Sequence, residues 1–487
     1  MNREQSLQAL EDRSTRWDVL IIGGGATGLG AAVDAAARGY RTLLVEQHDF
    51  GKATSSRSTK LVHGGVRYLK QGNISLVRES LRERARLLQN APQLTRRQAF
   101  LVPAYGALDR AFYGVGLKLY DALAGRFSLG PSQLVSREDV LREMPGVQSA
   151  GLRGGVRYYD GQFDDARLLI ALANTLHDLG GFAVNYVRVT RLLKDGARVS
   201  GVIAQDQESG REFEIKARAI INATGVFTDA VRQLDDLASH AMVSASQGAH
   251  IVVDHRFLPG ENALMVPKTK DGRVLFAIPW HGRVVLGTTD TAVRETPLEP
   301  RPFAQEIEFL LEHAKRYLAQ APSEGDILST FAGLRPLVKS GAGGATKKLS
   351  RDHTIVVSNS GLISIAGGKW TTYRKMGEDV VNTAAQVGGL EARASRTHDL
   401  PLRGACAPEN FSADAATVRQ FAREEMARTV EDVLARRTRT LLLDARAALQ
   451  LAPTVAAALA AELSRDDAWQ KSQVESFNAL AKNYLWP

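Results

Sequence analysis

The sequence predicts an α/β fold in which a parallel sheet is joined to a β-rich region and to a helical C-terminal region. An apolar run, Val19 to Ile22, ends in a glycine cluster and is followed by an alanine-rich stretch that favours helix. A second apolar run, Arg41 to Val45, follows at the distance expected in a βαβ unit. From Ala413 onward the chain is rich in residues that favour helix.

The glycine cluster after the first strand carries a recognisable spacing. Gly23, Gly25 and Gly28 occupy the three glycine positions of the G-x-G-x-x-G motif. The first allows a tight turn, the second lets the backbone approach a pyrophosphate, and the third lets the helix pack closely on the strand. The helix that begins at Ala26 and Thr27 offers N–H groups and a partial positive charge to phosphates. We therefore expect these five residues to hold an adenine dinucleotide.

The second strand ends at a carboxylate and leads into a polar segment. Glu46 stands 18 positions beyond Gly28, close to the roughly 20-residue spacing of a carboxylate that binds ribose hydroxyls. The segment Gly51 to Lys60 is small, polar and basic, so it can place hydroxyls and cations around a diphosphate. Three of its members are predicted cofactor contacts: Thr54, Ser55 and Lys60.

Length and composition narrow the class of protein. A chain of 487 residues is long enough for two or three domains, and 44% hydrophobic with 24% charged residues is ordinary for a folded protein. The net charge of +9 suits acidic partners, which include a phosphorylated substrate, anionic lipid and nucleic acid. The single cysteine, Cys406, excludes an internal disulfide and a cysteine-cluster metal site, and fits a reducing cytoplasmic setting. We expect no metal.

Targeting and membrane-spanning segments are not predicted. No segment approaches the roughly 18 uninterrupted apolar residues of a transmembrane helix. The first residues, Met1 to Arg16, lack the apolar centre of a signal peptide.

A second strand–glycine–helix junction lies far along the chain. The apolar run Leu362 to Ala366 ends at Gly367, Gly368 and Lys369, and a helix is predicted from Lys375 to Val387. This junction places another helix N-terminus where it could meet the bound cofactor. Further along, Phe421 to Asp444 is predicted to be helical, with acidic residues early and basic residues late, which suits the helix dipole.

Taken together, the motifs resemble those of a known enzyme family. The sequences GGGATGLG, TSSRSTKLVHGGVRYL, NATG, GTTDT, GLRPL, SRDH and AGGKWTTYR occur in the order seen in FAD-dependent, quinone-linked glycerol-3-phosphate dehydrogenases. The resemblance runs from about Trp17 to Arg374 and resumes in EMARTVEDVLARRTR. The loop after the second strand and the GGKWTTYR turn are highly specific, whereas the first glycine motif is shared with many flavoproteins.

The resemblance implies a fold in three parts. These are a glutathione-reductase-like FAD-binding domain of the amino-acid-oxidase type, an antiparallel-sheet substrate domain and a helical C-terminal cap. The implied boundaries are 17–75, 150–240 and 355–388 for the FAD-binding domain, 76–149 and 241–354 for the substrate domain, and 389–487 for the cap. Only Leu402 to Arg423 lies between the domain that contains the GGK turn and the EMARTVED segment. The family commonly has a longer helical stretch there, so the cap is expected to be shortened.

The resemblance also implies an activity and a location. The family binds FAD non-covalently and oxidises sn-glycerol 3-phosphate to dihydroxyacetone phosphate by hydride transfer to flavin N5, with membrane quinone as the electron acceptor. Its members are peripheral membrane proteins that self-associate. For this chain, the expectation is cytoplasmic attachment to the inner face of the cell membrane on an anionic lipid surface, as a dimer, with no nucleic-acid partner.

Candidate substrate residues follow from the match to these motifs. Oxidising a secondary alcohol requires a hydride acceptor, removal of the hydroxyl proton and cations for a dianionic phosphate. Arginine binds phosphate in a bidentate manner, and lysine acts as a point charge. The implied catalytic set is His63, Arg335 and Lys369. The implied substrate contacts are Arg67, Tyr68, His250, Arg335, Arg351 and Lys369. His63 and His250 are candidate bases or hydroxyl partners, although a structural hydrogen bond explains either equally well.

Further cofactor contacts are implied by the same motifs. They lie in the loop after the second strand, in the β-rich region and in the GGKWTTYR turn. These residues are Leu61, His63, Val189, Gly225, Gly368, Lys369, Trp370 and Thr371.

Three other functions are compatible with parts of the sequence. A glycerol-3-phosphate oxidase would share the half-reaction and use oxygen, but the long insertion that such oxidases carry is absent from the sequence. An amine or amino-acid flavin oxidase would share the fold, but several cations around the pocket favour a phosphate. A flavin-stabilised protein that binds membrane or nucleic acid would show no substrate-dependent flavin reduction.

Overall fold

The computed structural model describes residues 1–66, 73–106, 108–266, 269, 274–339, 353–404 and 413–487. Three of the expected substrate contacts, Arg67, Tyr68 and Arg351, lie outside the described residues.

The α-helices are α1 (Arg3–Glu11), α2 (Ala26–Ala37), α3 (Ile74–Asn90), α4 (Asp109–Ala124), α5 (Arg137–Glu143), α6 (Asp165–Asp178), α7 (Thr228–Asp235), α8 (Ala304–Tyr317), α9 (Tyr373–Val387), α10 (Ala415–Glu425), α11 (Thr440–Leu443), α12 (Ala445–Leu463) and α13 (Asp467–Ala481). The strands are β1 (Arg16–Ile22), β2 (Thr42–Val45), β3 (Leu61–Val62), β4 (Thr95–Pro103), β5 (Gln133–Val135), β6 (Gly155–Phe163), β7 (Phe182–Val184), β8 (Val187–Asp195), β9 (Arg198–Asp206), β10 (Glu212–Asn222), β11 (Val243–Asp254), β12 (Ala263–Val266), β13 (Leu275–Trp280), β14 (Arg283–Gly287), β15 (Thr291–Ala292), β16 (Ile327–Val338), β17 (Thr354–Val357) and β18 (Ile363–Ala366).

The first sheet is built around β1 and has the strand order β17-β18-β10-β1-β2-β7, with the β8–β9 hairpin attached to β10. Strands β18, β10, β1, β2 and β7 run parallel. Val19 and Ile21 of β1 pack with helices α2, α6 and α9, whereas Leu20 and Ile22 pack with α1 and the hairpin side. Both faces are therefore buried, which explains the uninterrupted apolar run and confirms the predicted parallel sheet.

The second sheet is almost entirely antiparallel, as predicted. Its order is β15-β11-β14-β13-β12-β4-β6-β3, with β16 on β11 and β5 on β6, and β12 runs parallel to β4. Two of its strands, Leu61–Val62 and Gly155–Phe163, fall within segments that the sequence assigned to the first domain. They belong to the second sheet because β6 pairs with β4 over nine positions and with β3 at its end.

The C-terminal region is helical, but the single helix predicted from Phe421 to Asp444 is wrong. Helix α10 ends at Glu425, Met426 adopts a left-handed conformation with φ +54°, and a π-helix spans Asp432–Arg437. The Asp432 carboxylate accepts the backbone N–H groups of Arg428 and Thr429, and the Asp432 N–H donates to Thr429 Oγ1. This reciprocal pair is a capping box that starts the second segment. A second left-handed residue, Arg439 at φ +68°, ends it.

Buried ion pairs join the C-terminal region to the first domain. Asp49, after β2, accepts hydrogen bonds from Arg436 at 2.5 Å and Arg437 at 2.8 Å, and all three side chains are buried. Burial alone would raise the pKa of Asp49, but the guanidiniums of Arg437 and Arg436 outweigh it and lower that pKa. Arg167 of α6 forms a bidentate pair with Glu425 at 2.6 Å. We call this set of buried pairs the seam.

None of the described helices combines the length and apolar composition that crossing a bilayer requires.

Candidate active site

Two adjoining cavities lie against the two sheets. The first, of about 390 Å³, is lined mainly by the ends of first-sheet strands and the turns that follow them. The second, of about 310 Å³, is lined mainly by residues of the second sheet. The turn Gly367 to Trp370 lines both cavities, so it forms a shared wall between them.

The glycine turn after β1 forms part of the first cavity. Gly23 has φ +111°, and a Cβ there would lie 2.8 Å from the carbonyl oxygen of Ala223, so no larger residue fits. Helix α2 begins just beyond, and the Ala26 N–H in its first turn donates to Ser55 Oγ at 3.0 Å. A Cβ on Gly28 would lie 1.9 Å from the Gly23 carbonyl oxygen, so Gly28 packs the helix against the turn and does not line the cavity.

Glu46 lies at the end of β2 beside the glycine turn and lines the first cavity. Its carboxylate accepts the N–H of Gly24 at 2.6 Å and that of His48 at 2.8 Å. Burial raises the pKa of Glu46, and these two N–H groups oppose that shift. The carboxylate is thus held in one orientation next to the N-terminus of α2.

The shared wall is shaped by two consecutive left-handed glycines. Gly367 has φ +82° and Gly368 has φ +75°, a combination that other residues rarely adopt. After this turn, Lys369 Nζ donates to Ser80 Oγ at 3.2 Å, and Trp370 Nε1 donates to the Ser55 carbonyl oxygen at 2.8 Å. The turn is therefore fixed to α3 and to the loop that caps α2.

Arg335 reaches the second cavity from β16. Its guanidinium donates to Thr288 Oγ1 at 3.1 Å and to the Thr289 carbonyl oxygen at 3.0 Å, and it pairs with Asp290 at 3.4 Å. A Cβ on Gly248 would lie 2.3 Å from Arg335 Nη2, so the glycine makes room for the arginine to cross. These contacts hold the guanidinium in place before any ligand arrives.

His250 lies on β11, is buried, and stacks on Phe331 with ring centroids 4.6 Å apart. Burial, reinforced by the nearby cations Lys60 and Arg335, lowers the pKa of His250 well below its ordinary value. The imidazole is therefore neutral at physiological pH. Its Nε2 lies 2.9 Å from Thr59 Oγ1, and its Nδ1 has no hydrogen-bond partner among the described residues.

Most of the predicted site residues are brought together at the two cavities. The first cavity is lined by Gly23, Gly25, Ala26, Thr27, Glu46, Thr54, Ser55, Val189, Gly225, Gly368, Lys369 and Trp370. The second is lined by Thr54, Leu61, His63, His250, Arg335, Gly368, Lys369, Trp370 and Thr371. His63 is held to the shared wall, because its backbone N–H donates to Thr371 Oγ1 at 3.2 Å.

Lys60, like Gly28, is a predicted cofactor contact that lines neither cavity. Its side chain is fully buried, and its Nζ donates to Asp165 at 2.7 Å and to the Ser56 carbonyl oxygen at 2.8 Å. The expectation of a phosphate contact was based on the polar composition of its loop. The buried carboxylate of Asp165 holds the ammonium in the interior instead.

Several lining residues of the second cavity were not singled out from the sequence. Arg57, Ser58 and Thr59 lie in the same polar loop as the predicted contacts, and their position between Ser55 and Leu61 was the available signal. Arg57 donates to Glu299 at 2.7 Å.

Within the described part of the chain, no group of His, Cys, Asp and Glu side chains is arranged to hold a metal ion.

Comparison with known protein families and sequences gives two kinds of match. A family model described as FAD dependent oxidoreductase matches residues 18–374, and one described as C-terminal domain of alpha-glycerophosphate oxidase matches residues 392–470. The mitochondrial glycerol-3-phosphate dehydrogenase of Macaca fascicularis is 44% identical over 418 residues, which cover 83% of this chain. The match spans 57% of that relative's own length.

Solved structures give a consistent fold. The glycerol-3-phosphate dehydrogenase from Bacillus halodurans complexed with FAD superposes with a TM-score of 0.80 at 28% identity, covering 100% of this chain and 98% of that chain. The L-alpha-glycerophosphate oxidase from Mycoplasma pneumoniae with FAD bound has a TM-score of 0.62 at 19% identity, covering 78% and 97%, and supports the fold alone.

Proposed function

The chain belongs to the FAD dependent oxidoreductase family, and from that premise we propose that it oxidises sn-glycerol 3-phosphate to dihydroxyacetone phosphate and passes the electrons to a membrane quinone. The observation that carries the proposal is the shared wall. It joins a cavity suited to a dinucleotide to a second cavity that presents Arg335, Lys369 and two histidines.

The first cavity fits FAD by the chemistry of its lining. The glycine turn and the N-terminus of α2 suit a diphosphate, and the fixed carboxylate of Glu46 suits ribose hydroxyls. Val189, Val231 and Leu234 supply apolar surface for an aromatic ring system. When bound, FAD supplies a two-electron acceptor next to the second cavity.

Cations in the second cavity suit a phosphate ester. Arg335 is already oriented by Thr288, Thr289 and Asp290, so it would lose little freedom on binding an anion. Lys369 lines the same cavity from the shared wall and adds a point charge. A dianionic phosphate is the part of glycerol 3-phosphate that needs these groups.

The histidines supply acceptors for the substrate hydroxyl proton. His250 is neutral because burial lowers its pKa, and Thr59 holds its Nε2 side. His63 also lines the cavity and is anchored through its backbone to Thr371. Either imidazole can act as general base, and we assign the role to this pair without choosing between them.

The proposal predicts that glycerol 3-phosphate, added anaerobically to the purified flavin-loaded protein, bleaches the absorbance of the oxidised flavin. Glycerol lacks the phosphate and is expected to react at least about tenfold more slowly, since one charged hydrogen bond contributes about 1.5–3 kcal/mol. Turnover is then followed with a quinone analogue and, separately, with oxygen and a peroxide assay. Rapid quinone-analogue reduction with little peroxide supports the dehydrogenase.

Three other outcomes identify the alternatives. Stoichiometric peroxide would favour a glycerol-3-phosphate oxidase. The match of residues 392–470 to an oxidase C-terminal domain is consistent with that alternative. No bleaching by glycerol 3-phosphate, with bleaching by an amine or amino acid, would favour the amine or amino-acid oxidase. No bleaching by any of them would favour a non-enzymatic flavoprotein.

We also propose peripheral attachment to the cytoplasmic face of the cell membrane, with self-association as a dimer. An exposed apolar stripe on helix α4 supports the lipid contact. Phe112 (59% exposed), Val115 (73%) and Leu119 (51%) lie on one face of the helix, and Leu108 (79%), the residue just before it, continues the same spacing. The exposed cations Lys118 and Arg126 lie on or just after the same helix, which suits an anionic surface.

Val115→Glu is expected to reduce co-sedimentation with anionic liposomes by at least about fivefold, because the stripe would have to bury a charge. Wild-type binding should weaken as salt is raised. The matched control is Leu237→Glu, the same change of charge at a residue that is 89% exposed and outside α4. Equal liposome binding by the two variants, or no liposome binding by the wild type at low salt, would argue for a soluble electron acceptor.

A further inference from the structure

A buried ion triad joins three distant parts of the chain. Asp165, the first residue of α6, accepts Lys60 Nζ at 2.7 Å through Oδ2 and Arg439 Nη2 at 2.6 Å through Oδ1. The side chains of Lys60, Asp165 and Arg439 are 0–1% exposed. Lys60 comes from the loop after β2, and Arg439 comes from the C-terminal region. Nothing in the proposed chemistry requires these groups to touch substrate.

The triad holds the backbone of one turn. The Ser56 carbonyl oxygen accepts both Lys60 Nζ at 2.8 Å and Arg439 Nη2 at 3.1 Å. The N–H and hydroxyl of Ser58 both donate to Asp165 Oδ2, at 3.1 and 2.7 Å. Lys60 itself has φ +62°, a left-handed conformation that a residue with a Cβ adopts at a cost. The turn from Ser56 to Lys60 is therefore over-determined by charged contacts from outside it.

The same turn presents side chains to the second cavity. Thr59, between the two anchored residues Ser58 and Lys60, places its hydroxyl 2.9 Å from His250 Nε2. Ser58 and Thr59 both line the cavity. A shift of the turn would change the distance between Thr59 and His250 directly.

We infer that Lys60, Asp165 and Arg439 are positioning residues that hold Thr59 against His250, and that the C-terminal region thereby takes part in building the active site. The inference rests on the proposed function, because it assigns the Thr59–His250 pair to the cavity where substrate would be oxidised. A purely stabilising role explains the geometry less well. Buried ion groups often contribute little net stability compared with apolar residues of similar size.

Arg439→Gln is the direct test, and Arg167→Gln is its matched control. In the first variant Asp165 keeps Lys60 as a partner, and in the second Glu425 keeps Arg437 at 3.3 Å. Each variant thus removes one buried arginine, and every carboxylate that it contacted keeps another hydrogen-bond donor. For Asp164, which Arg439 also approaches at 3.4 Å, that donor is the backbone N–H of Arg167. Arg439→Gln is expected to lower kcat for glycerol 3-phosphate by about 10- to 100-fold with KM changed less than about threefold. Arg167→Gln should stay within about twofold of wild type in kcat.

Two further variants keep the test decisive. Arg439→Lys restores the cation and is expected to recover part of the lost kcat. Lys60→Met retains the Arg439–Asp165 pair and should lower kcat in the same way as Arg439→Gln. It therefore tests the inference even if Arg439→Gln folds poorly. Equal kcat values for Arg439→Gln, Lys60→Met and Arg167→Gln would overturn the inference.

A readout without substrate separates this inference from the proposed function. Amide hydrogen exchange of peptides covering 54–62, measured by mass spectrometry on the flavin-loaded protein, should accelerate by at least about tenfold in Arg439→Gln and remain unchanged in Arg167→Gln. Unchanged exchange in both variants would overturn the anchoring. If wild-type flavin is not bleached by glycerol 3-phosphate, the proposed function fails, while the exchange result still decides whether the triad holds the turn.

Discussion

Replacing Arg335 with Gln is expected to lower kcat/KM for glycerol 3-phosphate on the order of 100-fold. A charged hydrogen bond contributes about 1.5–3 kcal/mol, and about 1.4 kcal/mol corresponds to a factor of ten in rate. The guanidinium is held by Thr288, Thr289 and Asp290 before substrate binds, so it loses little conformational freedom when it contacts the phosphate. The measurement is the anaerobic rate of flavin reduction over a range of substrate concentrations.

The matched control for that variant is Arg283→Gln. Arg283 belongs to the same sheet, its side chain is 33% exposed against 28% for Arg335, and it lines neither cavity. Arg335→Lys should recover only part of the loss, because lysine cannot make the bidentate contact. Lys369→Ala should fall in the same direction by at least about tenfold. Arg335→Gln and Arg283→Gln with equal kinetics would remove Arg335 from the substrate site.

Gly28→Ala is expected to yield protein without bound flavin, or no folded protein. The added Cβ would lie 1.9 Å from the Gly23 carbonyl oxygen, and a backbone atom cannot move away without opening the turn. Overpacking a rigid site costs about 1–3 kcal/mol or more, and here the strain falls on the turn that would hold the diphosphate. The measurements are flavin absorbance per mole of purified protein and the melting temperature.

Two other glycines calibrate that result. In Gly25→Ala the new Cβ meets only Ser55 Oγ at 3.1 Å, so folding should be largely retained while flavin is bound more weakly. In Gly116→Ala, within α4, nothing lies within 4 Å of the new Cβ, and the variant should be as stable as wild type or more so. Full flavin content in Gly28→Ala would show that the turn relaxes more readily than its geometry indicates.

Features that depend on local sequence were predictable. The apolar run of β1, the glycine turn and the carboxylate at Glu46 lie within a short stretch, and each has a distinct local cause. The pairing of strands β3 and β6 with the second sheet was not predicted, because their partners lie far away in sequence and pairing of that kind leaves no local signal. The break at Met426 was missed although it has a local cause, because Thr429 and Asp432 form a capping box three residues apart that starts a new segment.

The site residues that the family resemblance indicates were predictable. The position of Lys60 was not, because it depends on pairing between buried charges. His250, Arg335 and Lys369 come from β11, β16 and the turn after β18, and the family resemblance placed them together before the structure did. Lys60 was expected to face a phosphate, because a lysine in a polar loop is ordinarily solvated. Its burial depends on Asp165, 105 positions away, and on Arg439, whose own pairing with Asp165 spans 274 positions.

The seam limits how this chain can be cut into separate parts and how those parts can be exchanged between homologues. Two different family models match residues 18–374 and residues 392–470, which suggests that the C-terminal part is a module that could be exchanged or lost. An excised first part would expose Asp49 and Arg167 with none of their charged partners Arg436, Arg437 and Glu425. The two parts should therefore melt in a single transition, and recombination between distant homologues should succeed only when both sides of the seam are transferred together.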